Sequence, residues 1–318
     1  MAHVIVQVKL SRGERQVKKL LMKPSIAISV AILCSVLWGS AFPVLKVSYD
    51  ELQMSADDVV AKMVFAGLRF LLAGLLVLIF LFFMNRSAIK ITKKQFGILL
   101  VLGVIQTAFQ YYFFYNGLAR VTGMQGAILS SGGIFFTILA AHFYYKDDRL
   151  SKQKVIGILA GFSGIILANW GQSLTLSFQW DGEGFMLMAG VTSAIATIMA
   201  KELATGIHPF AITGWQLTLG AVALLLIGFP QLEPGAIQFN ALGSGLLLYS
   251  AFLSAIAFAL WYSLLKYHQA GRISMYKFIT PVSGVLLSAM FIPGESLTWM
   301  LVVAFVMVAF GIIIVNRK

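Results

Sequence analysis

The chain has 318 residues, of which 59% are hydrophobic and 11% are charged. Soluble domains carry about 25% charged residues, so this composition excludes an ordinary soluble enzyme or binding domain and indicates a polytopic membrane protein. The net charge of +12 does not indicate a nucleic-acid-binding protein, because the basic residues cluster in short segments between apolar runs, as orientation signals do.

Residues 1–21 begin with an alternating stretch, VIVQVKL, and then become basic up to a second methionine, Met22. The apolar run from Ile26 is too long for a cleavable signal peptide and leads into a full membrane span. We therefore expect residues 1–25 to form a cytoplasmic extension, and we leave residues 1–21 outside the predicted fold. Cys34 is the single cysteine, so a disulfide framework and a cysteine-rich metal site are both excluded.

Apolar windows predict ten membrane-spanning helices with short connections. Numbered as spans 1 to 10, they cover residues 26–46, 60–83, 96–118, 122–145, 153–170, 183–203, 209–229, 240–266, 274–292 and 297–316. The prediction is an all-α integral membrane protein without a soluble second domain.

Basic residues predict how these spans are oriented. With the N-terminus inside, all of the 24 lysines and arginines except Lys46, Lys62, Arg69 and Arg120 fall on the inner side. The positive-inside rule therefore predicts that both termini are cytoplasmic. We expect the protein in a plasma membrane of the bacterial inner-membrane type.

Span 1 carries the stretch WGSAFP at residues 38–43. Proline removes a backbone hydrogen bond, and glycine allows helices to approach closely. One interpretation is a bend at Gly39 and Pro43 with a packing seam of small residues. The other is a bend that opens a cavity, with Trp38 and Ser40 on its wall as substrate-binding residues.

Arg69 lies about ten residues into span 2, which is about 15 Å along a helix and close to the membrane midplane. A charge at this depth needs a partner or a function, and no Asp or Glu falls in the middle of any span. We favour a structural role, in which Arg69 is tied to backbone carbonyls, over substrate binding.

Spans 3 and 4 contain further candidates. Gln106 and Gln110 lie one turn apart and should share an inward face, because an amide facing lipid is costly. Tyr111 is a candidate substrate contact, although a tyrosine here also suits the aromatic belt. In span 4, Ser130 and Ser131 precede a glycine pair that suits either ligand contact or close packing, and the second glycine, Gly133, is a candidate hinge.

The second half of the chain adds four candidate binding residues and one candidate hinge. The binding candidates are Ser193 in span 6, Ser254 and Trp261 in span 8, and Lys277 in span 9. The hinge candidate is Pro281 in span 9. For Lys277, extension to the membrane interface is favoured over contact with a substrate carboxylate.

The two halves of the chain resemble each other. GLRFLLAG at 67–74 matches GWQLTLGA at 214–221 with an offset of 147, and the same offset places GII at 164–166 on GII at 311–313. Five spans are an odd number, so the second unit must cross the membrane upside down relative to the first. The pattern predicts two inverted five-helix repeats, an architecture typical of secondary transporters.

Three motifs, WGSAFPVLK at 38–46, GLRFLLAGLL at 67–76 and GILAGFSG at 157–164, resemble the EamA-like branch of the drug/metabolite transporter superfamily. The resemblance covers about residues 26–316. It implies five-helix repeats over 26–170 and 183–316, with helices 1, 3, 4, 6, 8 and 9 around a central cavity. It also implies outward transport of metabolites, often amino acids.

The predicted function is a secondary transporter that exports neutral or zwitterionic metabolites, such as amino acids, by alternating access. The absence of mid-depth carboxylates disfavours a multidrug or organic-cation exporter, which remains the first alternative. A non-transporting membrane receptor is the second. The histidines at 142, 208 and 268 lie near the cytoplasmic side, so no intramembrane enzyme is expected.

The expected partners are a small-molecule substrate and the lipid bilayer, without nucleic acid, cofactor or metal. The sequence is compatible with a homodimer but leaves the oligomeric state open, together with the substrate, the coupling ion and the direction of transport.

Overall fold

The computed structural model describes residues 12–55, 57–121, 123–168, 178–292 and 299–317. The regular elements in these ranges are helices, and the described residues form no β-strand. In chain order the helices are α1 (Arg12–Leu21), α2 (Pro24–Glu51), α3 (Val59–Met84), α4 (Lys93–Leu118), α5 (Gly123–Tyr144), α6 (Lys152–Ala168), α7 (Trp180–Leu203), α8 (Pro209–Gly228), α9 (Ala241–Tyr267), α10 (Ala270–Phe291) and α11 (Trp299–Asn316).

The predicted spans 1 to 10 overlap α2 to α11 in order, and the described ends differ by at most five residues. Helices α2, α3, α4, α7, α8, α9 and α10 are long and apolar enough to cross a membrane, and α5 and α11 contain the shorter apolar stretches Leu129–Tyr144 and Val302–Asn316. The prediction of an all-helical membrane protein is therefore confirmed over the described residues. The total of ten crossings remains a prediction.

Residues 12–21 belong to the fold, contrary to the expectation from the sequence. They form α1, in which Leu21 is buried while Val17 and Leu20 are about half exposed. The His268 ring nitrogen Nε2 lies 2.8 Å from the Leu21 carbonyl oxygen and ties α1 to the end of α9. Basic residues beside apolar ones suit this short helix to a membrane surface.

Local sequence signals begin several of the helices. The Asp58 carboxylate accepts a hydrogen bond from the Ala61 N–H (2.7 Å) at the start of α3. Thr92 and Gln95 form a reciprocal capping box at the start of α4. Such caps satisfy N–H groups that have no partner within the helix.

Helices α3 and α8 cross through glycines at repeat-related positions. A Cβ on Gly67 would lie 2.6 Å from Leu225 Cδ2, and a Cβ on Gly214 would lie 2.6 Å from Leu78 Cδ2. Positions 67 and 214, like positions 78 and 225, are 147 residues apart, so the two contacts are equivalent. Gly67, in the first half of α3, meets the last turn of α8, whereas Leu78, in the second half of α3, meets the beginning of α8. The two helices therefore run antiparallel.

Helices α6 and α11 repeat this arrangement. A Cβ on Gly164 would lie 2.9 Å from the Ala304 carbonyl oxygen, and one on Gly311 would lie 2.8 Å from the Gly157 carbonyl oxygen. The offset is again 147 and the helices are again antiparallel. The offset read from the sequence thus reappears in two separate helix crossings.

Small residues also join the two halves of the chain around the centre of the bundle. Gly39 of α2 faces α10, and a Cβ added to Gly39 would overlap with Ser283 Oγ. Gly133 of α5 faces α7, where its Cβ would lie 3.3 Å from the Gly190 Cα. In the same region Cys34 of α2 is fully buried. Close backbone approach of this kind is the usual packing of membrane helices.

We call the end of the bundle that carries the connections α3–α4, α5–α6, α7–α8 and α9–α10 the basic end. A buried ion pair fixes it: the Lys154 ammonium donates to the Asp148 carboxylate at 2.5 Å, and the side chains are 7% and 1% exposed. The same carboxylate accepts from the Gly271 N–H at 2.7 Å. Asp148 therefore joins the α5–α6 connection to the start of α10.

Two further contacts hold the basic end together. The Lys201 ammonium at the end of α7 donates to the Leu265 carbonyl oxygen (3.0 Å) and to that of His268. The Tyr145 hydroxyl donates to the Glu202 carboxylate at 2.7 Å.

Gly103→Ala should destabilise the protein by about 1–3 kcal/mol, because its methyl group would lie 2.6 Å from the Gln216 carbonyl oxygen of α8. Gly97→Ala, in the same helix, meets nothing within 4 Å and should be neutral or stabilising by about 0.5–1 kcal/mol. Thermal unfolding of both variants in detergent measures the difference. Equal melting temperatures would contradict the close α4–α8 contact.

Asp148→Asn should destabilise the protein by about 3–5 kcal/mol, because it leaves the Lys154 ammonium buried without its counter-charge. The matched change Asp181→Asn removes a pair with Arg120 whose side chains are 58% and 43% exposed, and should change stability by less than about 1 kcal/mol. The two melting temperatures in detergent test this. A similar shift in both would mean that Asp148 is not a structural tie.

Candidate functional site

A cavity of about 630 Å³ lies between helices of both halves of the chain. Its wall is formed by α2, α3, α4 and α5 from the first half and by α7, α9 and α10 from the second. The volume falls in the range of small-molecule sites, about 300–1,000 Å³.

The cavity extends to the end of the bundle opposite the basic end. There its wall includes Lys46 and Tyr49 near the end of α2, Lys62 near the start of α3, and Ala119 just after α4. At the inner end the wall is formed by Lys277 and by side chains such as Trp261, which is 1% exposed. The cavity is therefore open at one end, which we call the mouth, and closed toward the basic end.

Most of the residues predicted from the sequence line this cavity. The candidate binding residues in its wall are Trp38, Gln106, Gln110, Tyr111, Ser130, Ser131, Ser193, Trp261 and Lys277. Two of the predicted hinge residues, Gly133 and Pro281, are also in the wall, as is Arg69. The structure thus brings residues from seven helices into one space.

Ser40 and Ser254 were predicted as binding residues but are not among the lining residues. The Ser40 hydroxyl donates to the Leu37 carbonyl oxygen (2.8 Å), and the Ser254 hydroxyl donates to that of Ser250 (2.7 Å). Each hydroxyl therefore bonds to its own helix, as small hydroxylated side chains often do within helices.

Gly39 and Pro43 also lie outside the cavity wall. Helix α2 continues through Pro43, and both Gly39 and Pro43 are buried. Gly39 packs directly against α10, as described above. The structure thus places Gly39 in a packing seam and Pro43 in the buried part of α2, while Trp38 beside Gly39 lines the cavity.

Helix α4 presents its two glutamines through a change in winding. Residues Val104–Phe109 form a π-helical segment, a feature that often occurs at functional sites. Gln106 donates through its amide to the Gln110 side-chain oxygen, and both line the cavity. The sequence predicted the shared face of the two glutamines but not the π-helical segment.

An aromatic wall runs along one side of the cavity. The Trp38 ring lies 5.4 Å from Phe258 and 5.3 Å from Trp261, both in edge contact. Behind the cavity surface, Phe258 contacts the fully buried Phe70 (6.4 Å), which in turn contacts the lining residue Tyr111 at 4.5 Å. Such contacts hold the rings at fixed angles, so the wall is a preformed apolar surface.

Lys277 lies at the closed end of this wall. Its ammonium nitrogen is 4.9 Å from the centre of the Trp261 ring and 5.4 Å from that of Trp38. A cation within about 6 Å of an indole face is attracted to it. The favoured expectation was that Lys277 extends to the membrane interface, but the structure places its side chain in the cavity wall.

Arg69 lies at the other end of the wall and is 4% exposed. Its guanidinium carbon is 4.2 Å from the centre of the Phe70 ring and 5.9 Å from that of Tyr111. Among the described residues, its Nε and Nη1 have no hydrogen-bond partner. These two nitrogens therefore lack the tie to backbone carbonyls that the sequence led us to expect.

Sequence reasoning missed several residues of the wall, including Lys46, Lys62, Phe258, Tyr262 and Thr280. A usable signal was present for the two lysines, since Lys46, Lys62 and Arg69 are three of the four exceptions to the positive-inside pattern. The fourth, Arg120, instead pairs with Asp181 at 2.9 Å. Basic residues that break the orientation rule were therefore pointers to the cavity.

Comparison with known proteins agrees with this arrangement. A model of the EamA-like transporter family matches residues 25–170 and 180–317. The uncharacterized transporter YvbV of Bacillus subtilis (strain 168) is 26% identical over 305 residues, which cover 94% of each chain. The probable amino-acid metabolite efflux pump of Escherichia coli (strain K12) is 24% identical over 303 residues, covering 90% of this chain and 93% of the pump.

One crystal structure shares the fold with a TM-score of 0.74 at 15% identity, over 92% of this chain and 96% of the other. The family model covers most of the chain in two consecutive matches, which agrees with the resemblance read from the three sequence motifs. The chain therefore belongs to the EamA-like transporter family, within the drug/metabolite transporter superfamily.

Proposed function

We propose that the protein is a secondary transporter that carries small metabolites such as amino acids out of the cell by alternating access. The observation that carries the proposal is the cavity itself, which is walled by both halves of the chain, open at the mouth and closed at the basic end. A receptor would need a binding site but not a wall shared between two related halves.

The repeat contacts support the architecture that this mechanism requires. The crossings α3–α8 and α6–α11 both obey the offset of 147, and both join antiparallel helices. Antiparallel equivalents are what an inverted repeat of two five-helix units produces, with ten membrane crossings in total. In such folds the substrate site lies between the repeats, near the midplane.

The contacts at the basic end support alternating access. Asp148, Lys201 and Tyr145 each link elements that would separate if the cavity opened at that end. We propose that the basic end faces the cytoplasm, as the positive-inside rule predicts, and that the described conformation faces outward. During transport these contacts at the basic end break, and other contacts form that close the mouth.

The substrate class is proposed from the wall and from the relatives. The described lining residues include no Asp or Glu, which disfavours organic cations because their usual counter-ion is an acid. A relative of similar length is named as a probable amino-acid metabolite efflux pump. The aromatic wall suits an apolar or aromatic side chain.

Counterflow uptake by the purified protein in liposomes should therefore detect saturable exchange of labelled amino acids. The panel contains leucine and phenylalanine, with tetraphenylphosphonium as the organic cation, at equal pH on both sides and then with a pH gradient. Empty liposomes set the background. Exchange confined to tetraphenylphosphonium would favour the multidrug alternative, and binding without exchange of any solute would favour the receptor.

Trp38→Ala should lower exchange at least about tenfold, because it removes the ring that joins Phe258 and Trp261 in the wall. Trp299→Ala is the matched control, since that indole is 71% exposed and lies outside the cavity wall. The change Gln110→Ala should also lower exchange. Normal exchange by both cavity variants would exclude this site as the transport path.

A further inference from the structure

The cavity contains positive charge well below its mouth. Lys277 lies at the closed end of the aromatic wall. Arg69 lies at the other end of this wall and is only 4% exposed. No carboxylate lines the described part of the cavity, so neither cation has an acidic partner in its wall.

Several buried hydrogen-bond donors around the same space are also unused. The Arg69 Nε and Nη1, the Trp261 Nε1 and the hydroxyls of Tyr262 and Thr280 have no hydrogen-bond partner among the described residues. Arginine and indole nitrogens can only donate. A buried donor without a partner is costly, so each such group needs an acceptor, which water or a bound molecule can supply.

The donors are concentrated near Lys277. Thr280 follows Lys277 by three residues in α10, and the centre of the Trp261 ring lies 4.9 Å from the ammonium nitrogen. The residues that carry an ammonium, an indole N–H and a hydroxyl group therefore line the same cavity. This set matches a carboxylate, which accepts several hydrogen bonds and carries the opposite charge.

We propose that the cavity binds its solute through a carboxylate held by Lys277, with the apolar body of the solute along the wall of Trp38 and Phe258. The transported class is then organic carboxylates with an apolar or aromatic body, and an amino group is not required. This proposal rests on the proposed transport function, and it changes the substrate class from neutral or zwitterionic metabolites to organic carboxylates, which include anions without an amino group.

The described wall offers no counter-charge to an ammonium group. A zwitterion would find acceptors only in neutral groups such as Gln110, because the described lining residues include no acid. Arg69 adds a positive potential that favours anions and opposes cations along the whole cavity. An amino acid and its N-acetyl derivative should therefore both be accepted, whereas the corresponding amine should be rejected.

The test compares three probes that share one aromatic body: phenylalanine, N-acetylphenylalanine and phenethylamine. Binding to the purified protein in detergent is followed by tryptophan fluorescence, which responds because Trp38 and Trp261 flank Lys277. Both carboxylates should bind saturably, and phenethylamine should not. Counterflow of the same three compounds in liposomes is measured in parallel.

Lys277→Gln should weaken binding of both carboxylates by about 10- to 100-fold, the loss of one charge-assisted hydrogen bond. Lys277→Arg keeps the charge and should retain most of the affinity. Lys94→Gln is the matched control, because it removes an exposed lysine at the start of α4, outside the cavity wall, and should change affinity less than about threefold. Unliganded melting temperatures identify any variant that fails to fold, and Lys277→Arg then still tests the requirement for charge.

The outcomes separate this proposal from the transport function. Saturable carboxylate binding that Lys277→Gln weakens, without counterflow, would support the carboxylate site and overturn the transporter. Counterflow in which phenethylamine exchanges as well as phenylalanine, or in which Lys277→Gln behaves like Lys94→Gln, would support transport and overturn the carboxylate site. Absence of both binding and counterflow for the carboxylates would overturn both.

Discussion

Close packing of antiparallel helices against glycine residues is the constraint on which the rest of the molecule depends. In a membrane the hydrophobic effect does not drive helices together, so association relies on close packing. Here Gly67 and Gly214 bring α3 and α8 together, and Gly164 and Gly311 bring α6 and α11 together. These two crossings join the two halves of the chain, and α3 also contributes Val59, Lys62 and Arg69 to the wall of the cavity.

Large aromatic side chains form one side of the cavity between the central helices. Trp38, Phe258 and Trp261 fill one side of the space with rings in edge contact, and α4 presents its glutamines on another side. Glycine seams such as Gly39 against α10 lie immediately behind this wall. A bulky residue facing the cavity and a small residue facing the neighbouring helix thus alternate within one stretch of α2.

The helices were predictable because the thickness of the bilayer sets the length of an apolar run. The offset of 147 was visible in the sequence because the crossings α3–α8 and α6–α11 carry glycine at positions related by that offset. The direction of individual side chains was harder to predict. Ser40 and Ser254 satisfy their hydroxyls on their own helices, so their polarity carried no information about the cavity. Helix α1 was missed because its ten residues depend on a tertiary contact, from Leu21 to His268, that no apolar window contains.

The uncompensated charge in the cavity has a kinetic consequence. A transporter that alternates must pass through a state closed at both ends, and an empty closed cavity would hold Lys277 and Arg69 away from water without an anion. The desolvation penalty of such charges is several kcal/mol per ion. A bound anion removes part of that penalty, so the loaded protein should change conformation faster than the empty one. Such a carrier would work mainly as an exchanger, trading one solute molecule for another far faster than it returns empty.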